Sequence, residues 1–152
     1  MNRGFRVLLI AAVAALAINM APQTAGSAEA SGCIRIYRIY YNSPGTDYGS
    51  NYSLNGEWIQ LHNVCSYGKS LTGYKFRDAA WHWYQFGSYT LKAYGYVKIH
   101  TGSGTNTSTD RYQNRGSYVW NNNTDTAYLY NSAGTYLMKC YYNNSSVASH
   151  YC

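Results

Sequence analysis

The sequence is poor in charge and in proline. Only 12% of its 152 residues are charged, and it has two prolines, whereas about a quarter of the residues in a typical domain are charged. The low charge and the 46% share of hydrophobic residues argue against intrinsic disorder, because disordered chains are rich in charge and lack apolar side chains. So few prolines exclude collagen-like segments. No internal repeat can be read along the chain, and its length is typical of a single domain.

Long hydrophobic runs are also missing. The longest extends from Val7 to Ile18, which is short of the roughly 20 residues that span a bilayer. Arg3 and Arg6 precede this run, and a small-residue stretch ending at Ala30 follows it. This order is typical of a signal peptide. We therefore predict a signal peptide at residues 1–30 and a secreted, extracellular domain at residues 31–152, without a transmembrane segment in the mature chain.

Acidic residues are scarce in the predicted mature chain. Removal of residues 1–30 leaves ten basic side chains (12 minus Arg3 and Arg6) and five acidic ones (6 minus Glu29), a net charge of +5. The basic residues are scattered, so the dense cluster that marks most nucleic-acid-binding proteins is missing. The mild positive charge favours loose attraction to anionic polymers such as those of cell walls.

Catalysis needs paired groups that this sequence does not present clearly. Glu57 and Asp78 are the best pair of carboxylates for a glycosidase, but Glu57 precedes a predicted core strand and Asp78 ends another at a turn. The segment 102–104, Gly-Ser-Gly, lacks the spacing of a serine nucleophile elbow. We predict a protein that is not an enzyme and has no catalytic residue and no cofactor.

Four cysteines lie in the predicted mature chain, at Cys33, Cys65, Cys140 and Cys152. An even number in a small secreted domain predicts two disulfides, for which the count alone allows three pairings. The first two cysteines flank two strand-like runs, and the last two flank a short turn-rich stretch, so we predict Cys33–Cys65 and Cys140–Cys152. Zinc is the alternative, but neither Cys-x-x-Cys nor His-x-x-x-His occurs. We therefore predict no metal site.

Apolar and polar residues alternate in short runs separated by turn residues, which is typical of an all-β sandwich or barrel. About eight strands are predicted, at residues 34–41, 57–63, 74–77, 83–86, 96–100, 118–120, 126–130 and 136–140. The alternation predicts an aliphatic core with the tyrosines outside. The core candidates are Ile59, Leu61, Phe76, Val97, Ile99 and Leu129.

Aromatic residues make up 17% of the chain, and 19 of them are tyrosines. Ala127 and Leu129 share one face of their strand, so Tyr128 and Tyr130 point the other way, and Tyr96 lies on the polar face of its own strand. Such tyrosines either stabilise the sheet through cross-strand pairs or form a stacking surface for a ligand. The candidates for a ligand surface are Tyr96, Tyr128, Tyr130, Trp81 and Trp83.

Several segments in the correct order resemble the lamin tail domain family, especially the short secreted versions found in actinomycetes. The resemblance rests on residues 39–47, 54–63, 71–78, 101–104 and 119–127, and it covers nearly the whole mature chain. It implies an immunoglobulin-like β-sandwich. It also implies an attachment or interaction module and supplies no catalytic residue.

These patterns together predict an extracellular binding or adhesion module whose ligand is cell-wall or other polysaccharide. The first alternative is a protein–protein interaction or self-assembly module that uses the same aromatic face. The second is weak nucleic-acid binding, in which the aromatic rings stack on bases.

Overall fold

A computed structural model of the protein describes Met1 and residues 32–152. Apart from Met1, the predicted signal peptide lies outside the described residues. The described part contains eleven strands and one helix: β1 (Ile34–Tyr40), α1 (Asn51–Gly56), β2 (Trp58–Asn63), β3 (Lys69–Ser70), β4 (Lys75–Arg77), β5 (Trp83–Gln85), β6 (Thr90–Leu91), β7 (Tyr96–His100), β8 (Asp110–Tyr112), β9 (Thr124–Tyr130), β10 (Tyr136–Asn143) and β11 (Ser149–Tyr151).

Two sheets form the body of the fold. The large sheet has five strands in the order β11-β1-β2-β7-β8, and the small sheet has four in the order β10-β9-β4-β5. All neighbours are antiparallel except β7 and β8, which are parallel. A two-stranded ribbon of β3 and β6 completes the structure. Of the two all-β architectures that the alternation predicts, a sandwich or a barrel, the sandwich is therefore present.

Both sheets contribute their apolar faces to one core. Ile59 and Leu61 of β2 face inward in register with Ile99 and Val97 of β7, and Phe76 of β4 pairs with Leu129 of β9. All six predicted core residues have 0% solvent exposure, which confirms that prediction. Successive side chains of a strand point to opposite faces, so the strand neighbours of these core residues lie on the outer faces of the sheets.

The strand count and some strand positions were wrong. Residues 118–120 form no strand, because the Val119 amide donates to the Glu57 carboxylate at 2.8 Å instead of to a neighbouring strand. The helix α1 occupies the end of a segment that the sequence predicts to be a loop, and Ser50 caps it by accepting from the Ser53 amide. Four further strands, β3, β6, β8 and β11, have only two or three residues each and were not predicted.

The core is not purely aliphatic. Tyr41 and Tyr142 are almost completely buried, and their rings stack with centroids 4.0 Å apart and planes 5° apart. Their hydroxyls donate to the carbonyls of Asn144 at 2.6 Å and Asn121 at 2.7 Å. A buried tyrosine is stable when its hydroxyl has such a partner. The prediction that tyrosines lie outside is therefore wrong for this layer.

Two disulfides are formed, with the pairing that the sequence predicts. Cys33 is bonded to Cys65, with Cα atoms 5.2 Å apart, and Cys140 is bonded to Cys152, with Cα atoms 5.6 Å apart. The second bond ties β10 of the small sheet to the end of β11 in the large sheet. Because each sulfur is bonded to another sulfur, the zinc alternative does not apply, and the bonds indicate an oxidising environment.

Candidate ligand-binding surface

The outer face of the small sheet gathers aromatic residues from three strands and a turn. The ring of Trp83 on β5 lies 6.3 Å from that of Trp81 and 5.3 Å from that of Tyr130 on β9. Tyr130 in turn lies 5.9 Å from Tyr136 on β10. Tyr128 is on the same face of β9 as Tyr130. Four of the five predicted ligand residues therefore lie together.

Two basic residues of β4 lie among these rings. The Nζ atom of Lys75 is 5.4 Å from the centroid of Trp83, and Arg77 contacts both tryptophans. We call this surface the small-sheet face, and it consists of Lys75, Arg77, Trp81, Trp83, Tyr128, Tyr130 and Tyr136.

Arg77 is held between two rings. Its guanidinium lies 3.9 Å from the centroid of Trp81 and 4.1 Å from that of Tyr128, and Nη1 donates to the Asp78 carbonyl at 2.8 Å. Arg77 follows the core residue Phe76 and lies on the outer face, but the two rings cover it and leave only 9% of it exposed. Cation–π contacts of this kind contribute roughly 0.5–2 kcal/mol each. They fix both the cation and the rings.

The turn that carries Trp81 is held by buried carboxylates. Asp78 is fully buried, and its two oxygens contact the backbone amide and Nδ1 of His82 at 2.7 and 2.6 Å. Asp125 accepts from the Ala79 amide at 3.1 Å. These contacts keep Trp81 at a φ of 69°, a left-handed conformation that costs a bulky residue roughly 1–2 kcal/mol.

The position of the carboxylates makes the outside of the domain more positive than the residue count indicates. Glu57, Asp78 and Asp125 are buried, which leaves Asp47 and Asp110 as the only acidic side chains at the surface of residues 32–152. No acidic residue belongs to the small-sheet face. Glu57 and Asp78, the best predicted catalytic pair, both have 0% exposure, so neither can reach a substrate.

Glu57 has a structural position instead. Its carboxylate accepts from the Thr101 hydroxyl at 2.6 Å and from the Val119 amide at 2.8 Å. Burial raises the pKa of Glu57 to about 7, although these two hydrogen bonds act in the opposite direction. Glu57 lies directly before β2, and these hydrogen bonds connect it to Thr101 at the end of β7 and to the segment around Val119.

Tyr96, the fifth predicted ligand residue, lies on the opposite side of the sandwich. Its ring stacks on His62 at 4.0 Å and contacts Tyr37 at 4.9 Å, and Tyr37 contacts Tyr151 of β11 at 5.4 Å. Arg38 and Lys98 lie over neighbouring rings of the same sheet. We call this surface the large-sheet face, and it consists of Tyr37, Arg38, Tyr40, Trp58, His62, Tyr96, Lys98 and Tyr151.

The sequence analysis did not identify three members of the small-sheet face as ligand residues, namely Lys75, Arg77 and Tyr136. Tyr136 pairs directly with Tyr130, so the pairing of β9 with β10 would have identified it. Arg77 pairs with both Tyr128 and Trp83. The alternation shows which side of a strand a residue faces, but only the strand order shows which residues are neighbours.

Residues 32–152 contain neither a cluster of metal-ligating side chains nor a helix that could cross a membrane. In that part of the chain, no three His, Cys, Asp or Glu side chains lie close enough together to hold a metal ion. None of the helices there has the length and apolar character that crossing a membrane requires.

Comparison with protein families places the chain in a known family. The model of the protein family described as Lamin Tail Domain matches residues 27–144, which is more than half of the chain. No curated protein matches the sequence significantly. The matched region contains β1 to β10 and ends before β11 and Cys152. The edge strand β11 of the large sheet therefore lies outside the matched region. Cys152, which follows β11 and is bonded to Cys140, also lies outside it.

Proposed function

Because the chain belongs to the lamin tail domain family, a family of typically non-catalytic modules with an immunoglobulin-like fold, we propose that it is a binding module of the extracellular space. Residues 1–30 direct export and are removed, and residues 31–152 form the mature domain. Its ligand is a cell-wall polysaccharide, and the small-sheet face binds it. The two disulfides support an oxidising location outside the cytoplasm.

The observation that carries this proposal is the continuous row of rings on the small-sheet face. Trp81, Trp83 and Tyr136 are 65%, 40% and 50% exposed, although large apolar side chains are usually buried. Contiguous exposed apolar surface of this kind typically marks an interaction site. Aromatic rings offer an apolar face to the C–H groups of a sugar and a polar edge to its hydroxyls.

The charge of the surface favours an anionic polysaccharide. Lys75 and Arg77 lie among the rings, and the described residues place no carboxylate on this face. A positive surface attracts a polyanion and accelerates its association. Cell-wall polymers that carry carboxylates fit this surface better than neutral glycans do.

The tilt of the rings favours a single glycan chain over a flat crystalline surface. Trp83 is tilted by 54° to Trp81 and by 48° to Tyr130, and Tyr130 is tilted by 70° to Tyr136. A flat crystal face would contact one ring at a time, whereas a flexible chain can turn from one ring to the next.

The surface is ordered before any ligand binds. Trp83, Tyr128, Tyr130 and Tyr136 are on strands, and the contacts of Asp78 and Arg77 fix Trp81. Binding to a preorganised surface avoids the cost of ordering side chains, which is about 0.5–1.5 kcal/mol for each flexible side chain.

Co-sedimentation of residues 31–152 with insoluble glycans tests the proposal. We expect retention on peptidoglycan, weaker retention on chitin, and little on crystalline cellulose. Because electrostatic attraction contributes, added salt is expected to reduce retention on peptidoglycan. The absence of retention on all three glycans would contradict polysaccharide binding.

Self-association is a second candidate, and the large-sheet face favours it. This face is a second aromatic surface on the other side of the same domain, with Tyr37, Tyr96 and Tyr151 all exposed. A domain with two such surfaces can contact another copy with one and a glycan with the other. Sedimentation velocity tests this: a concentration-dependent dimer that Tyr96→Ala abolishes would support it, and a monomer at all concentrations would contradict it.

A further inference from the structure

A cavity of about 230 Å³ opens between the two sheets, on the side where β5 and β8 form their edges. It does not belong to the small-sheet face, because Tyr84 of β5 points the opposite way from Trp83. Aromatic and polar side chains line it, among them Tyr84, Phe86, Tyr89, Ser88, Asn106 and Arg111. Among the described residues, Arg111 is the only cation in the lining.

Arg111 faces into the sandwich, since it pairs with the core residue Ile99. Its guanidinium lies 4.1 Å from the centroid of the Tyr89 ring, and its Nε atom is buried without a hydrogen-bond partner. The adjacent Asp110 points outward and contacts Nε2 of His100 at 3.0 Å. Arg111 therefore forms no salt bridge within residues 32–152. Arg111 is half-buried, and its guanidinium packs on the Tyr89 ring, so its N–H donors remain available to a ligand in the cavity.

The other polar groups of the cavity also present hydrogen-bond donors. The Asn106 side-chain oxygen accepts from the Tyr112 amide at 3.2 Å, which leaves its NH₂ group available to donate. Burial raises the pKa of Tyr84 and of Tyr89 above the ordinary value, although Arg111 acts in the opposite direction. Both phenols are therefore protonated at neutral pH. The hydroxyl of Tyr89 donates to the Ser108 carbonyl at 2.6 Å, and that of Tyr84 can donate to a ligand.

Within residues 32–152, no carboxylate lines this cavity. A site with a cation, several neutral donors and aromatic walls is complementary to a ligand that carries an anionic acceptor on a compact ring. Arginine matches the geometry of a carboxylate with two parallel hydrogen bonds. The volume is below the roughly 300–1,000 Å³ of pockets for drug-sized ligands, so it suits one small ring.

We propose that this cavity is a second binding site and that it takes a sugar acid, with the ligand carboxylate paired to Arg111 and the sugar ring against Tyr84. The site is independent of the small-sheet face. It can select an acidic sugar unit whether or not the small-sheet face binds polysaccharide.

Titration of the isotope-labelled domain, followed by NMR, tests this directly. The added compounds are D-glucuronate, D-glucose and sodium sulfate, at constant ionic strength and pH 7. We expect glucuronate to shift the Arg111 Nε–Hε signal and the amide signals of Gly87 and Ser88. We expect glucose and sulfate to bind at least tenfold more weakly.

The variant Arg111→Gln is expected to weaken glucuronate binding at least tenfold. Lys139→Gln is the matched control, because it removes one positive charge from β10, at the far edge of the small sheet, and is expected to leave binding unchanged. Equal binding of sulfate and glucuronate would overturn the assignment of a sugar acid. If glucuronate shifts NMR signals of the wild-type domain only outside the cavity, the proposed position of the site is wrong. This outcome does not depend on whether the Arg111 variant folds.

Discussion

The guanidinium of Arg77 lies 3.9 Å from the ring of Trp81, and the ring of Tyr128 covers its other side at 4.1 Å. Arg77 comes from β4, Tyr128 from β9 and Trp81 from the turn after β4. The contact therefore joins two strands and a turn at one point. It explains how a tryptophan can remain 65% exposed and still be held in one place.

Replacement of Arg77 tests this contact through stability. We expect Arg77→Met to lower the free energy of unfolding by about 2 kcal/mol, because both cation–π contacts and the hydrogen bond to the Asp78 carbonyl are lost. Urea denaturation followed by tryptophan fluorescence measures the change. Lys92→Met, at an exposed position between β6 and β7, is the control, and its effect is expected within about 0.5 kcal/mol of zero. Equal effects of the two variants would show that the rings do not hold Arg77.

Trp81→Gly compares the stabilising contribution of the Trp81 ring with the cost of its backbone conformation. The substitution removes a cation–π contact, but glycine adopts a positive φ without the strain that tryptophan bears there. We expect the two effects to offset each other, so that the free energy of unfolding changes by less than about 1 kcal/mol. Thermal and urea unfolding measure it. A loss of several kcal/mol would mean that the ring of Trp81 belongs to the packed structure.

The buried carboxyl group of Glu57 is expected to make the free energy of unfolding depend on pH. Burial raises its pKa from 4.5 to about 7 in the folded protein, so the folded state binds the proton more tightly than the unfolded state. Its stabilising contribution is complete below pH 4.5 and is lost as the pH rises through about 7. The shift corresponds to about 3 kcal/mol between these limits.

Glu57→Gln removes this titration. Glutamine cannot ionise, so we expect the variant to be more stable than the wild-type domain at pH 8 and to approach it at pH 4.5. Urea unfolding of both proteins across this range gives the difference, in which the contributions of other groups cancel. A variant that is less stable at pH 8 than at pH 4.5, relative to wild type, would contradict the raised pKa.

The two disulfides are expected to contribute unequally. Loss of loop entropy in the unfolded chain predicts about 3 kcal/mol for Cys140–Cys152 and about 4 kcal/mol for Cys33–Cys65, because their sequence separations are 12 and 32 residues. Unfolding of the two double-alanine variants in urea compares them. Cys140→Ala with Cys152→Ala is also expected to speed amide exchange in β11. Unchanged protection of β11 would show that its pairing with β1 is sufficient.

The alternation of single strands could be read from the sequence, but the contacts between strands could not. Tyr128 and Leu129 were placed on the correct faces because their strand has a regular period of two. Tyr142 shares the inner face with Cys140, yet its burial depends on a partner, Tyr41, that is about a hundred residues away. The burial of Arg77 under the rings of Trp81 and Tyr128 likewise depends on the geometry of the turn at Trp81, which no local sequence pattern indicates.

Strand β11 could not be predicted from the sequence for a different reason. It has three residues and lies beyond the region that the family matches, so neither alternation nor resemblance could predict it. The pairing of Cys140 with Cys152 was predicted from a turn between them, and the strand between the turn and Cys152 was not. Tyr151 joins the large-sheet face only through that strand.

Retention of matched variants on peptidoglycan tests the central proposal most directly. Tyr136→Ala and Tyr96→Ala remove the same ring from similarly exposed positions, 50% and 39% exposed, on the small-sheet face and the large-sheet face respectively. We predict that Tyr136→Ala and Trp81→Gly each weaken retention by about tenfold or more, whereas Tyr96→Ala retains the wild-type affinity. Weakened retention of Tyr96→Ala with unchanged retention of the other two variants would contradict the assignment of the small-sheet face.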